Sequence, residues 1–130
     1  MRTRPGNRLE FPSCPFCGAV VMRPAEEIAG LDLPGGKCDC GAVYAMDPTG
    51  LRLGEALLEA LSLACGCDSD LGWKLEPGED YEERQILGYD PNRHVIIGAG
   101  ANYRSGMSAL CFIRLSEGAL ERAAGRARHG

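Results

Sequence analysis

Apolar positions in residues 51–65, LRLGEALLEALSLAC, recur at helical intervals. Leu57, Leu61 and Ala64 or Cys65 share a face, Leu58 flanks it, and Glu55 and Glu59 fall on the polar side. Gly66 then suits the left-handed residue that ends a helix. Residues 79–88, EDYEERQILG, follow a Pro-Gly turn and read as a second helix, with acids crowding the first turn where the helix dipole favours them. Short apolar runs read as strands: AVVM at 19–22, AVYAM at 42–46, HVIIGAG at 94–100 and MSALCFIRL at 107–115. The last two are expected to form a hairpin closed by ANYRSG. Ser116 is placed to cap a final helix over EGALERAAGRA.

Turn residues divide the chain. Residues 1–10 are rich in Arg, Pro, Gly and Asn and read as a flexible arm. A first unit spans 11–50, punctuated by Pro24, Pro34, Gly35 and Gly36 and closed by DPTG. A second unit, 51–130, ends in a basic tail, and Trp73 is expected to anchor one unit on the other. The chain as a whole is expected to be α+β: an N-terminal metal module followed by a small unit of helices and an antiparallel hairpin.

The 130 residues suffice for a real core, whereas a 50-residue piece alone would need a metal or partner. Hydrophobic residues at 45% and charged residues at 25% are ordinary for a globular chain. The net charge of −4 carries no global signature of nucleic-acid binding. Its distribution is uneven: Arg2, Arg4 and Arg8 lie near one end and Arg122, Arg126 and Arg128 near the other. Eight acids between 68 and 90 face only Lys74 and Arg84. No apolar run approaches the roughly 18 residues of a membrane span, and the N-terminus lacks the apolar core of a secretory signal. A cytoplasmic location with reduced thiols is therefore expected. Seven cysteines there point to metal or redox chemistry before disulfides.

Four of the seven form two pairs, CPFCG at 14–18 and CDCG at 38–41, with twenty residues between Cys17 and Cys38. Each pair ends in Cys-Gly and is followed by a strand-like run. Glycine lets the backbone fold back so that amides can point at the sulfurs. CPFCG followed by CDCGAVY resembles a zinc ribbon, two hairpin knuckles facing each other across one zinc. The resemblance covers about residues 11–50 and implies Cys14, Cys17, Cys38 and Cys40 as ligands of a structural zinc. The second knuckle departs from the usual C-x-x-C-G by one residue, and Cys65 or Cys67 could replace Cys38 if the chain folds back. Rubredoxin iron sites also use paired Cys-Gly knuckles. Within residues 11–50 only Phe11, Phe16 and Tyr44 are aromatic, too few for the rubredoxin core, and zinc is favoured.

CPFC also resembles the active site of glutaredoxins, but the following GAVVMRP is a poor helix to depress a thiol pKa. Cys65-Gly-Cys67 is a third close pair and the basis of a competing reading, a thiol-redox or metal-handling protein. Cys111 lies in an apolar run and reads as a core residue.

No nucleophile elbow, phosphate loop or H-E-x-x-H pattern is present. His94 with Tyr103 and Arg104 is the one candidate anion-binding corner. The chain is thus expected to be a binding protein with a structural zinc rather than an enzyme. Its acidity favours a protein partner over nucleic acid, and no membrane is implied.

Overall fold

A computed structural model describes residues 9–26, 28, 31–97 and 107–126. Among these residues the architecture is mixed α+β, with three helices on a six-stranded sheet in the order β1-β5-β4-β6-β3-β2. The strands are β1 Leu9–Glu10, β2 Gly35–Lys37, β3 Val43–Asp47, β4 Tyr81–Asp90, β5 Val95–Ile97 and β6 Ser108–Leu115. Every neighbouring pair is antiparallel. The helices are α1 Leu53–Ala64, α2 Ser69–Gly72 and α3 Ala119–Gly125.

β6 organises the molecule. Residues 108–113 are buried, so the backbone of this strand needs hydrogen-bonding partners on both edges. β3 supplies one ladder, from Val43↔Ile113 to Asp47↔Ala109, and β4 the other. This requirement overrides the helical reading of residues 79–88: from Tyr81 onward they belong to β4. Glu82 pairs with Arg84 at 3.3 Å and Glu83 with Gln85 at 2.9 Å, an i, i+2 spacing that shares a face in a strand and not in a helix. The expected hairpin over 94–115 is also replaced. β5 turns back on β4, through Tyr89↔Ile96 and Asp90↔Val95, and β4 separates it from β6. ANYRSG lies outside the described residues.

The alternation of β6 divides the core in two. Ala45, Cys111 and Ile113 face α1 and α3, while Tyr44, Leu110 and Phe112 face the cysteine-bearing segment 11–25. A bulge between Leu87 and Tyr89, with Gly88 at φ 75°, shifts Tyr89 onto the cysteine side. AVVM is shorter than a strand. Its register is carried by a Ser13↔Val20 bridge and by Val21 N–H donating to Pro12 O at 3.0 Å.

α1 buries Ala56, Ala60, Leu61 and Leu63, with Leu57 partly buried against the same core and Leu58 exposed, so the inner face includes the expected Leu57–Leu61 stripe and extends over the two alanines. Two alanines let the helix approach the sheet closely. α1 ends in a Schellman motif, with Gly66 N–H on Leu63 O and Cys67 N–H on Ser62 O, as the Gly66 assignment requires. α3 has Gly118 and not Ser116 at its N-cap. Trp73 is exposed and anchors no interface. Of the arm read over 1–10, residues 1–8 lie outside the described residues, and Leu9–Glu10 pair with β5.

β2 is constrained by a close approach. A Cβ on Gly36 would lie 2.5 Å from Tyr44 Oη and 2.6 Å from its Cζ. The Tyr44 ring is buried, packs at 4.9 Å on Phe112 and donates its hydroxyl to Met22 O, so it cannot swing away. Gly36→Ala is expected to destabilise the fold by about 2 kcal/mol in chemical denaturation. A change near zero would show that the ring yields.

Candidate metal centre

Both cysteine knuckles are tight hairpins. In the first, Gly18 N–H donates to Cys14 O and Cys14 N–H to Ala19 O, each at 2.8 Å. In the second, Gly41 N–H donates to Cys38 O at 2.9 Å and Cys38 N–H to Ala42 O at 2.7 Å. The second is the same construction shortened by one residue, which is how C-x-C-G matches C-x-x-C-G. Gly18 and Gly41 take φ of 84° and 100°, the left-handed region that glycine enters without strain.

The four sulfurs of Cys14, Cys17, Cys38 and Cys40 lie within 4.8 Å of one another. Cys14 and Cys40 approach to 3.7 Å and Cys17 and Cys38 to 3.5 Å, with no disulfide among them. A tetrahedron with metal–sulfur bonds of about 2.3 Å has edges of about 3.8 Å, so the cluster can hold one metal ion. Cys65 and Cys67 are not in it: the chain does not fold back, and among the described residues no group of metal-type ligands includes them. Cys38 keeps its place.

The surroundings suit thiolates. Amides of Phe16 and Cys17 are directed at the Cys14 sulfur, that of Cys40 at Cys38, and that of Ala42 at Cys40. Phe16, inside the first knuckle, lies under two guanidinium groups, Arg84 at 5.3 Å and Arg114 at 5.0 Å. These tie the knuckle to β4 and β6. Nothing in the order of the chain announces that contact, since Phe16 is 68 residues from Arg84.

Cys14, Cys38 and Cys40 influence one another's ionisation. Burial resists ionisation of Cys40, but the Ala42 amide and the neighbouring thiols bring it down to about 7. At Cys38 the Cys40 amide favours the thiolate, yet burial and the other three thiols push it up to about 12. Burial also raises Cys14. One negative charge forms readily and opposes the next, a conflict that a divalent cation removes.

The remaining candidates are dispersed. No helix follows Cys17 to activate a glutaredoxin-like thiol. Cys65 is buried in the α1 core with its thiol pushed up to about 11, by burial first and then by the Asp68 charge. Cys111 is buried under Glu83, its thiol raised to about 12 by burial first. Cys111→Ala is expected to leave metal content unchanged in elemental analysis. A loss of metal would place Cys111 in the site.

His94 is structural. Its Nε2–H donates to Val21 O at 2.8 Å and its Nδ1 accepts from the Tyr89 hydroxyl at 2.7 Å. Arg23 reinforces the contact by donating to Pro91 O at 2.6 Å. Together they fasten the segment after the first knuckle to the β4–β5 turn. Tyr103 and Arg104 lie outside the described residues.

Of the terminal arginines, Arg2, Arg4 and Arg8 lie outside the described residues. Arg122 and Arg126 both grip Asp80, and Arg128 lies outside the described residues. No helix of the described residues is long and apolar enough to cross a membrane. No protein-family model, curated protein or solved structure matches the chain.

Proposed function

We propose that Cys14, Cys17, Cys38 and Cys40 bind one structural zinc ion, within a ribbon spanning about residues 11–50, and that the protein works as an interaction module. The convergence of four sulfurs within 4.8 Å, from two glycine-ended knuckles, carries this reading. Zinc would supply a fixed tetrahedral cross-link between two loops. Four thiolates fill the tetrahedron and leave no position for a reactive water, which sets hydrolysis aside.

The net charge of −4 supports a protein partner over nucleic acid, as does the engagement of Arg122 and Arg126 with Asp80. The thiol-redox alternative is disfavoured by the burial and raised pKa of Cys65.

Elemental analysis of the purified protein tests the zinc assignment. One zinc per chain is expected, with at most three thiols titratable until a chelator raises the count to seven. A metal-free, reduced protein that is fully folded would overturn the assignment, as would a visible iron–thiolate chromophore.

A further inference from the structure

On the side of the sheet away from the cysteines, α1, α2 and the loop before β2 enclose a groove of about 260 Å³. Trp73, the single tryptophan of the chain, stands at its edge with 72% of its surface exposed. Asp32 and Glu59 present carboxylates to it, and neither has a cationic partner among the described residues. Glu59 Oε1 accepts the amides of Asp32 at 2.6 Å and Leu33 at 3.1 Å, which fixes the carboxylate, and Oε2 has no partner among the described residues. Ser62 lines the same groove and is only 6% exposed, and its hydroxyl has no hydrogen-bond partner among the described residues. Leu58 and Leu61 form the apolar wall.

One chemical group answers all of these features. A guanidinium on an aliphatic stem would lay the stem along Leu58 and Leu61 and its plane against the indole. Its forked N–H donors would meet Glu59 Oε2, the Asp32 carboxylate and the Ser62 hydroxyl. An ammonium lacks the stacking plane, and an anion would be repelled by both carboxylates. The volume lies below the roughly 300–1,000 Å³ of small-molecule sites, and suits one side chain. The nearest cation in sequence, Lys74, does not line the groove. The net charge of −4 attracts basic partners to the surface.

We infer that this groove docks an arginine side chain presented by a segment of a partner protein. The site is separate from the cysteine cluster and stands whether or not the metal is zinc.

Because Trp73 is the only tryptophan, its fluorescence reports the groove directly. The full-length protein is titrated with acetyl-Gly-Arg-Gly-amide and with the same peptide carrying uncharged citrulline. A saturable change in emission is expected with arginine, and binding about tenfold weaker with citrulline. Asp32→Asn and Glu59→Gln are each expected to weaken arginine binding by about tenfold. Glutamine retains the acceptor for the Asp32 and Leu33 amides, so circular dichroism should be unchanged. No saturable response, equal response to both peptides, or wild-type binding by both variants would overturn the inference. A chain ending at Arg126 that binds the peptide tenfold more tightly would identify Arg128 of this chain as the occupant, and would equally refute a partner segment. Metal content measured on the same samples keeps failure of this site distinct from failure of the zinc assignment.

Discussion

Removing the metal is expected to lower the melting temperature by at least about 10 °C. Binding to the folded state alone contributes about 4 kcal/mol when free zinc is a thousand times its dissociation constant. A domain of this size shifts by about 3 °C per kcal/mol. The position of the site explains why the effect would spread. Segment 11–25 covers the sheet face carrying Tyr44, Leu110 and Phe112, three of the residues least accessible to solvent. Its cover depends on the Cys14–Cys40 and Cys17–Cys38 pairings, the Phe16 contacts and the His94–Val21 bond. Without the cation, the neighbouring thiols hold Cys38 in its neutral form and the knuckles lose their cross-link. Cys17→Ser is expected to act like chelation: no bound zinc, a melting temperature insensitive to added zinc, and loss of near-ultraviolet dichroism from Tyr44 and Phe112. Because β3 lies beside β6 within the shared sheet, the loss would reach beyond residue 50. A Cys17→Ser protein that retains one zinc and its melting temperature would remove Cys17 from the site.

Asp80→Asn is expected to destabilise the protein by about 3 kcal/mol at neutral pH. Asp80 is fully buried at the start of β4. Arg122 Nε donates to Oδ1 at 2.9 Å, Arg126 Nη1 to Oδ2 at 2.6 Å and the Glu76 amide to Oδ2 at 2.8 Å. Arg126 also donates to Lys74 O, and the Ser116 amide to Asp80 O. Asp80 therefore ties α3 to the chain entering β4 through its carboxylate, and to the end of β6 through its backbone carbonyl. The helix has only seven residues and no side-chain cap, so it depends on the clamp and on buried Ala119 and Ala123. The Arg126 hydrogen bond, aided by the Glu76 amide and Arg122, lowers the Asp80 pKa from 3.8 to about 2 despite burial. A carboxylate with a depressed folded pKa stabilises fully above its unfolded value. Its contribution falls as pH drops from about 4 through 2. Denaturation measured across that window should show a steeper acid loss in the wild type than in Asp80→Asn. Parallel curves, or a variant of wild-type stability at pH 7, would mean that the arginines do not hold α3 through Asp80.

The two knuckles were legible because their information is local. Each needs a cysteine pair, a glycine able to adopt positive φ and a short return strand, and all lie within a few residues of each other. α1 was legible for the same reason, since a 12-residue helix repeats its spacing often enough to be read. β4 was not. Its Glu, Arg and Gln residues favour helix in isolation, and only the unpaired edge of β6 makes an extended conformation the lower in free energy. The pairing of β5 is hidden for the same reason, because the strand that separates it from β6 reads as a helix in the sequence.

The chemistry divides along the same line. Composition and spacing determined four candidate sulfur ligands, an acidic chain and an α+β class. Tertiary structure decided that Cys38 joins the cluster while Cys65 and Cys67 stay on the other side of the sheet, and that Phe16 lies beneath Arg84 and Arg114. It spent His94, Arg122 and Arg126 on structural bonds and left Trp73 exposed beside Asp32 and Glu59. Hydrogen bonding within a knuckle or along a helix is set by nearest neighbours in the chain. Which side of a sheet a residue occupies depends on strand partners far away, and a single bulge at Gly88 is enough to change it.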